Sequence, residues 1–112
     1  MKLDPASPLI AEATLEGATL TVLLARDINV MNAPEARTAL MGLLKAHKPQ
    51  RFVLDMRDVG FLDSSAMGVL VELRKKMPAG GTIALTNLVK AVRGLMQIMR
   101  LEALFEIAGE DA

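Results

Sequence analysis

Asp63, Ser64 and Ser65 stand in a row, two hydroxyls beside a carboxylate, within the stretch RFVLDMRDVGFLDSSAMGVLVELRKKMP that fills positions 51–78. A serine hydroxyl can attack an acyl group or accept a phosphoryl group, and its neighbours decide which. Acyl transfer needs a base beside the serine and a third group that orients the base. The chain has one histidine, His47, and no G-x-S-x-G turn, which argues against a serine hydrolase. With no cysteine, thiol nucleophiles, disulfides and thiolate metal sites drop out together. Gly80-Gly81 leads into a strand pattern and no Gly-Lys-Ser/Thr follows it, so there is no P-loop. Asp55, Asp58 and Asp63 raise a metal or phospho-aspartate site. Yet Asp55 falls inside a strand, and the other two suit a turn and a helix cap. The hydroxyl of Ser64, near the unpaired N–H donors of a helix start, could also carry a phosphate. A dianion at a helix start is favoured by about 0.3–1 kcal/mol when exposed, although Asp63 repels it. On spacing alone, Ser64 and Ser65 are most simply helix-start residues.

The helix that positions them is marked at both ends. Asp63 is a good N-cap, because its carboxylate can accept from the free N–H groups of the first turn. Ala66, Leu70, Leu73 and Met77 recur at the spacing of one helical face. Arg74, Lys75 and Lys76 crowd the last turn, where cations oppose the negative end of the macrodipole, and Pro78 ends it. Ahead of the helix, 52–56 reads as a buried strand and 57–62 as a short acidic loop.

The rest of the chain packs around that unit. Residues 1–8 are expected to be a flexible leader. Two Thr-containing apolar runs, 9–15 and 19–24, flank Glu16-Gly17 and read as paired strands. A loop over 26–32 leads to Asn32-Ala33-Pro34-Glu35, which has the form of a capping box with Pro in the tolerant first turn. Ala36, Leu40, Leu43 and Leu44 then give the first helix its core face. Gly42 within it costs about 1 kcal/mol against Ala, which suggests close packing or a partner's approach. His47 falls in the last turn with Lys45 and Lys48, where a partial positive charge suits the dipole, and it reads as a C-terminal helix residue. After Gly80-Gly81 comes a strand over 82–86, parallel to the previous one through a right-handed crossover. Asn87 is expected to cap a third helix in which Leu88, Val92, Leu95 and Met99 share a face with Ala91 and Ile98. A last edge strand is expected over 104–107. The fold class is α/β: one mixed sheet of four to five strands with helices packed on it, in the order β-β-α-β-α-β-α-β.

Composition narrows the function. The 112 residues make a single domain, 1–112. Thirteen basic residues balance thirteen acidic ones, with three Phe and no Tyr or Trp. No global field therefore draws nucleic acid, and little is available to stack on bases. No apolar run approaches the about 18 residues of a membrane span, and no signal peptide is expected ahead of the fold. Membrane insertion is not expected and a cytoplasmic location is. No cofactor or metal site is implied. The hydrophobic fraction of 52% is high for a small domain and points to an apolar patch that faces another protein.

A strand followed by FLDSSAMGVLVEL resembles the signature of the STAS domain, the fold of sulphate-transporter tails and anti-sigma factor antagonists. The resemblance runs from about position 14 to 107. It implies that Ser64, the first Ser of the Asp-Ser-Ser/Thr-Gly motif, is a phosphorylation site. It also implies that Asp63, Ser65, Ala66, Met67, Gly68 and Asn29 lie on the partner-binding surface, with Met67 an adaptable contact. The implied partners are an anti-sigma factor with serine kinase activity and a PP2C-type phosphatase. Binding would hold while Ser64 is unphosphorylated, and the domain itself would not be an enzyme. Three positions depart from the family pattern. Ala66 replaces the motif Gly, Arg100 replaces a Gly near the end of the third helix, and Arg26-Asp27-Ile28-Asn29 stands for Gly-Glu-hydrophobic-Asp, so Asn29 is neutral where the family is acidic. The chain also stops at Gly109-Glu110-Asp111-Ala112, so the family's terminal helix is expected to be short or missing. The departures at Asn29 and Ala66 motivate a second reading, a non-phosphorylated STAS scaffold subunit of a lipid-transport ABC system or a stress-signalling complex.

Overall fold

Alternation in the second strand organises the sheet. In the computed structural model, which describes residues 1–108, β1 (Ile10–Glu16) and β2 (Thr19–Leu24) form an antiparallel pair around Gly17, whose φ of +59° is open to glycine at little cost. Leu20, Val22 and Leu24 of β2 are fully buried, whereas Thr19, Thr21 and Leu23 between them are half-buried. One face of the sheet is therefore core and the other faces outward. α1 (Ala33–His47) leads to β3 (Arg51–Asp55), α2 (Ser64–Lys76) to β4 (Thr82–Thr86), and α3 (Lys90–Ile98) with a short 3-10 turn at Glu102–Leu104 to β5 (Glu106–Ala108).

The strand order is β1-β2-β3-β4-β5, with every pair after the first parallel. Each crossover steps one strand in the same direction, so right-handed connections place all three helices on one face. Phe52 and Leu54 of β3 and Ile83 and Leu85 of β4 meet Leu40, Leu44, Leu70, Leu73, Val92 and Met96 in one continuous core. The sheet is mixed, with five strands in the expected order β-β-α-β-α-β-α-β. At the turn between α2 and β4, a Cβ on Gly81 would come within 2.9 Å of the Pro78 carbonyl oxygen and 3.2 Å of that of Gln50. Glycine is the residue that lets α2 close onto the start of β3 and β4.

Several local expectations differ from what the chain does. Of residues 1–8, expected to be loose, the first three run along β1. Leu3 N–H donates to the Ala13 carbonyl at 2.8 Å, Leu15 N–H donates to that of Met1 at 2.9 Å, and Lys2 bridges Thr14 in antiparallel fashion. The β1 edge had free backbone groups, and the leader satisfies them. The capping box at α1 does not form. Asn32 turns its amide back to its own loop, and Glu35 accepts from the Ser7 hydroxyl at 2.5 Å instead. Asn87 is not a helix cap: it adopts φ +57° and its amide donates to Asp55, while α3 begins three residues later. On α3 the buried residues are Val92 and Met96, with Leu88 ahead of the helix. Ile98 and Met99 are 77% and 50% exposed: Ile98, the last helical residue, lies about 200° round the helix from the buried Met96, and Met99 follows the helix end. A Cβ added at Gly42 would meet nothing within 4 Å, so close packing within the domain does not explain this glycine. The expectation about a terminal helix concerns 109–112, which lie outside the described residues.

Candidate functional site

Ser64 opens α2 as its first helical residue and is exposed. Asp63, with extended backbone (φ −93°, ψ −178°), caps the helix: its Oδ1 accepts from Ala66 N–H at 2.9 Å. This is the cap expected from the residue type. The other oxygen has a different partner. Asp63 Oδ2 accepts from Val30 N–H at 2.8 Å, across 33 residues of sequence. The carboxylate thus ties the start of α2 to the loop between β2 and α1.

A second clasp joins the same two loops. Asp27 Oδ1 accepts from Gly60 N–H at 2.7 Å and from Phe61 N–H at 3.3 Å. Between the clasps, Ile28 and Leu62 form an isolated parallel bridge, and both side chains are buried. This bridge in effect continues the β2–β3 pairing beyond the ends of the two strands. The 25–32 loop is also stiffened from within. Asn29 Oδ1 accepts from Met31 N–H at 2.9 Å and Asn32 N–H at 3.3 Å. Asn32 Oδ1 accepts from Asn29 N–H at 2.8 Å, and its amide donates to the Asp27 carbonyl at 3.1 Å. Asn29 therefore sits in the loop fastened beside Ser64, with its side chain holding that loop's own turn.

The remaining expected contact residues divide by burial. Gly68 is exposed and Ser65 half-buried on the solvent side of α2. Ala66 and Met67 are 1% and 5% exposed, and both belong to the core. The expectation that Met67 offers an adaptable surface contact, and that Ala66 lies on the partner-binding surface, is corrected by that burial. Three residues not singled out in the sequence take their place. Val30, Met31 and Phe61 are 66%, 87% and 52% exposed on the two clasped loops. They are large apolar side chains on a backbone fixed by the two clasps. The only trace of this in the sequence is Val-Met directly before a helix start, which is equally the pattern of a hydrophobic staple.

Asp55, Asp58 and Asp63 are not brought together as a metal site. Asp58 is exposed. Asp55 is 8% exposed and accepts from the Arg57 guanidinium, the Arg57 N–H and the Asn87 amide. Burial pushes its carboxyl up, but those hydrogen bonds together outweigh burial and hold it below the usual aspartate range. His47 lies at the end of α1, at the opposite end of the helix from this site. Among the described residues no group of three or more His, Asp or Glu could hold a metal ion, and no helix is long and apolar enough to cross a membrane.

The fold that carries this site has counterparts among known proteins. A profile of the STAS domain matches residues 11–110. The chain belongs to the STAS domain family. A STAS-domain containing protein of Pseudomonas aeruginosa is 43% identical to it over 63 residues, which is 54% of this chain and 60% of that protein. The match thus spans less than two thirds of the relative's length. Among solved structures, an anti-sigma factor antagonist from Mycobacterium paratuberculosis superposes with a TM-score of 0.79, covering 93% of this chain and 87% of its own, at 20% identity. The anti-sigma factor antagonist SpoIIAA in its unphosphorylated form gives 0.64 over 88% of this chain and 84% of its own, at 16% identity. At these identities the likeness is one of fold, and it agrees with the five-stranded STAS sheet described above.

Proposed function

We propose that this STAS domain is an anti-sigma factor antagonist, a cytoplasmic protein that acts by binding and carries no catalysis of its own. Unmodified, it would bind an anti-sigma factor with serine kinase activity. That kinase would transfer the γ-phosphoryl group of ATP to Ser64 Oγ, with ADP leaving and the hydroxyl proton passing to a base of the kinase. The modified domain would let go, and a PP2C-type phosphatase would restore it. The observation that carries this reading is the setting of Ser64. It is an exposed hydroxyl at a helix start beside the apolar side chains of Val30, Met31 and Phe61, on loops that two carboxylates hold in place. A partner that covers those side chains must also cover Ser64. A phosphate there adds about −1.5 to −2 charges that would have to be desolvated next to Asp63, so binding and modification exclude each other. Asp63, Ser65, Gly68 and the Asn29 loop complete the proposed contact surface.

The test is incubation with the kinase-type partner and ATP, read by intact mass and peptide mapping. One added phosphate on the peptide containing Ser64, with loss of the complex, is the expected result. No phosphate, under conditions where the kinase modifies its known substrate, would move the assignment to the scaffold reading. Asn29, neutral where the family is acidic, is the observation on that side. A pull-down with mass spectrometry would then return a transporter ATPase or stress-complex subunits instead of a kinase.

A further inference from the structure

The basic residues of this neutral chain are unevenly placed. Positions 36–54 and 73–101 contain no carboxylate side chain. α1 and α2 both finish at the edge of the sheet where β3 and β4 begin, since Arg51 and Thr82, the first residues of those strands, are paired. Between the two helix ends lies a cavity of about 370 Å³ lined by Leu44, Pro78, Lys45, Lys48 and Lys76. Leu44 is 4% exposed and forms an apolar floor, and lysine stems extend such a wall while their ammonium groups stay in water. The volume is in the range of small-molecule pockets, about 300–1,000 Å³.

The charge at the rim is little answered within the domain. Among the described residues, none of the three lysines takes part in an ion pair. Glu72, one turn back along α2, is held by Arg37 of α1 through a two-pronged contact and meets Lys76 only as a weaker through-space attraction. The two helix C-termini contribute about −0.5 charge each, well short of three ammonium groups. Lys48 adds a second anomaly. It occupies the left-handed position after α1 at φ +46°, with its N–H donating to the Leu44 carbonyl. That position usually belongs to Gly, and a lysine there accepts backbone strain while bringing a cation to the rim.

We propose that this cavity binds a single-chain amphiphilic anion: one carboxylate or phosphate head among the three ammonium groups, and a short apolar tail on Leu44, Pro78 and the lysine stems. The site lies at the far end of α2 from Ser64, about 20 Å away along a 13-residue helix. It is therefore independent of whether Ser64 is phosphorylated.

The chain has no Trp or Tyr, so the test is amide NMR of the ¹⁵N-labelled full chain, with calorimetry alongside. The probes are decanoate below its micelle concentration, decanol, inorganic phosphate, and phosphatidylglycerol vesicles. Decanoate is expected to bind saturably, with shifts confined to the neighbourhood of Leu44, Lys48, Lys76 and Ala79. Decanol and phosphate, each lacking half of the ligand, should bind at least about tenfold more weakly. Lys48→Gln with Lys76→Gln keeps the stems, removes two charges, and should weaken decanoate by up to about tenfold. The double Lys→Arg variant should restore it. Equal binding of decanoate and decanol would overturn the proposal. So would shifts spread over the whole surface, an unaffected Gln variant, or binding to vesicles without binding to monomeric decanoate.

Discussion

Asp63 and Val30 are 33 residues apart in sequence and joined by one hydrogen bond, Val30 N–H to Asp63 Oδ2 at 2.8 Å, while the other oxygen of the same carboxylate caps Ala66 N–H. One side chain thus starts the helix that carries Ser64 and holds the loop that carries Val30 and Met31. Asp63→Ala should lose both. Loss of an N-cap alone costs about 0.5–2 kcal/mol, so urea denaturation should show a clear fall in midpoint. Asp63→Asn keeps an oxygen for the cap and should fall less. Equal midpoints for wild type and Asp63→Ala would mean the cap and clasp contribute nothing.

The core register of α2 and α3 can be read by truncation. Leu73 is fully buried, and Leu73→Ala should cost about 2–5 kcal/mol. Ile98 is 77% exposed, and Ile98→Ala should stay within about 0.5 kcal/mol of wild type. Thermal melts in which the two variants exchange order would show that α3 is rotated from the position described.

The partner surface predicts a separation of binding from stability. Met31→Ser and Phe61→Ser should each weaken partner binding, by more than about 1 kcal/mol if they act as buried anchors, with melting points at or above that of wild type. Calorimetry of the isolated complex measures this. Full affinity in both variants would remove the apolar rim from the interface.

At Ser64 itself, Ser64→Ala should keep partner binding and take no phosphate. Ser64→Glu should bind much more weakly yet melt near wild type, since a helix start tolerates an anion. Ser65→Ala should leave phosphate uptake largely intact. Phosphate recovered on Ser65 instead, in peptide maps of the Ser64→Ala protein, would reassign the acceptor.

Asp55 predicts an acid dependence. Burial acts to raise its folded-state pKa, but hydrogen bonds from Arg57 and Asn87 outweigh that effect and leave it depressed. Its contribution is therefore present above the ordinary aspartate value of about 3.9 and is lost as pH falls from there through the lowered folded value. Asp55→Asn should reduce stability near neutral pH and flatten this part of the acid limb. Denaturation curves with the same acid slope in both proteins would contradict the assignment.

Local chemistry and periodicity were enough to read the Asp63 cap, the α2 face of Ala66, Leu70 and Leu73, the stop near Pro78 and the order of elements. All of these depend on residues a few positions apart. The resemblance at 63–66 added Ser64 as the proposed acceptor. Where capable side chains found their partners was legible in the folded chain alone. Asn32 and Asn87 have the right chemistry for caps, but one holds its own loop and the other reaches Asp55. Asp27 was one loop residue among several until the parallel pairing of β2 and β3 carried Gly60 and Phe61 to it. Met67 and Met31 are the same residue type on either side of the site, one in the core and one 87% exposed. The face of α2 that packs on the sheet buries Met67, and the Asp63–Val30 clasp fixes the loop that carries Met31; both depend on contacts between segments far apart in the chain.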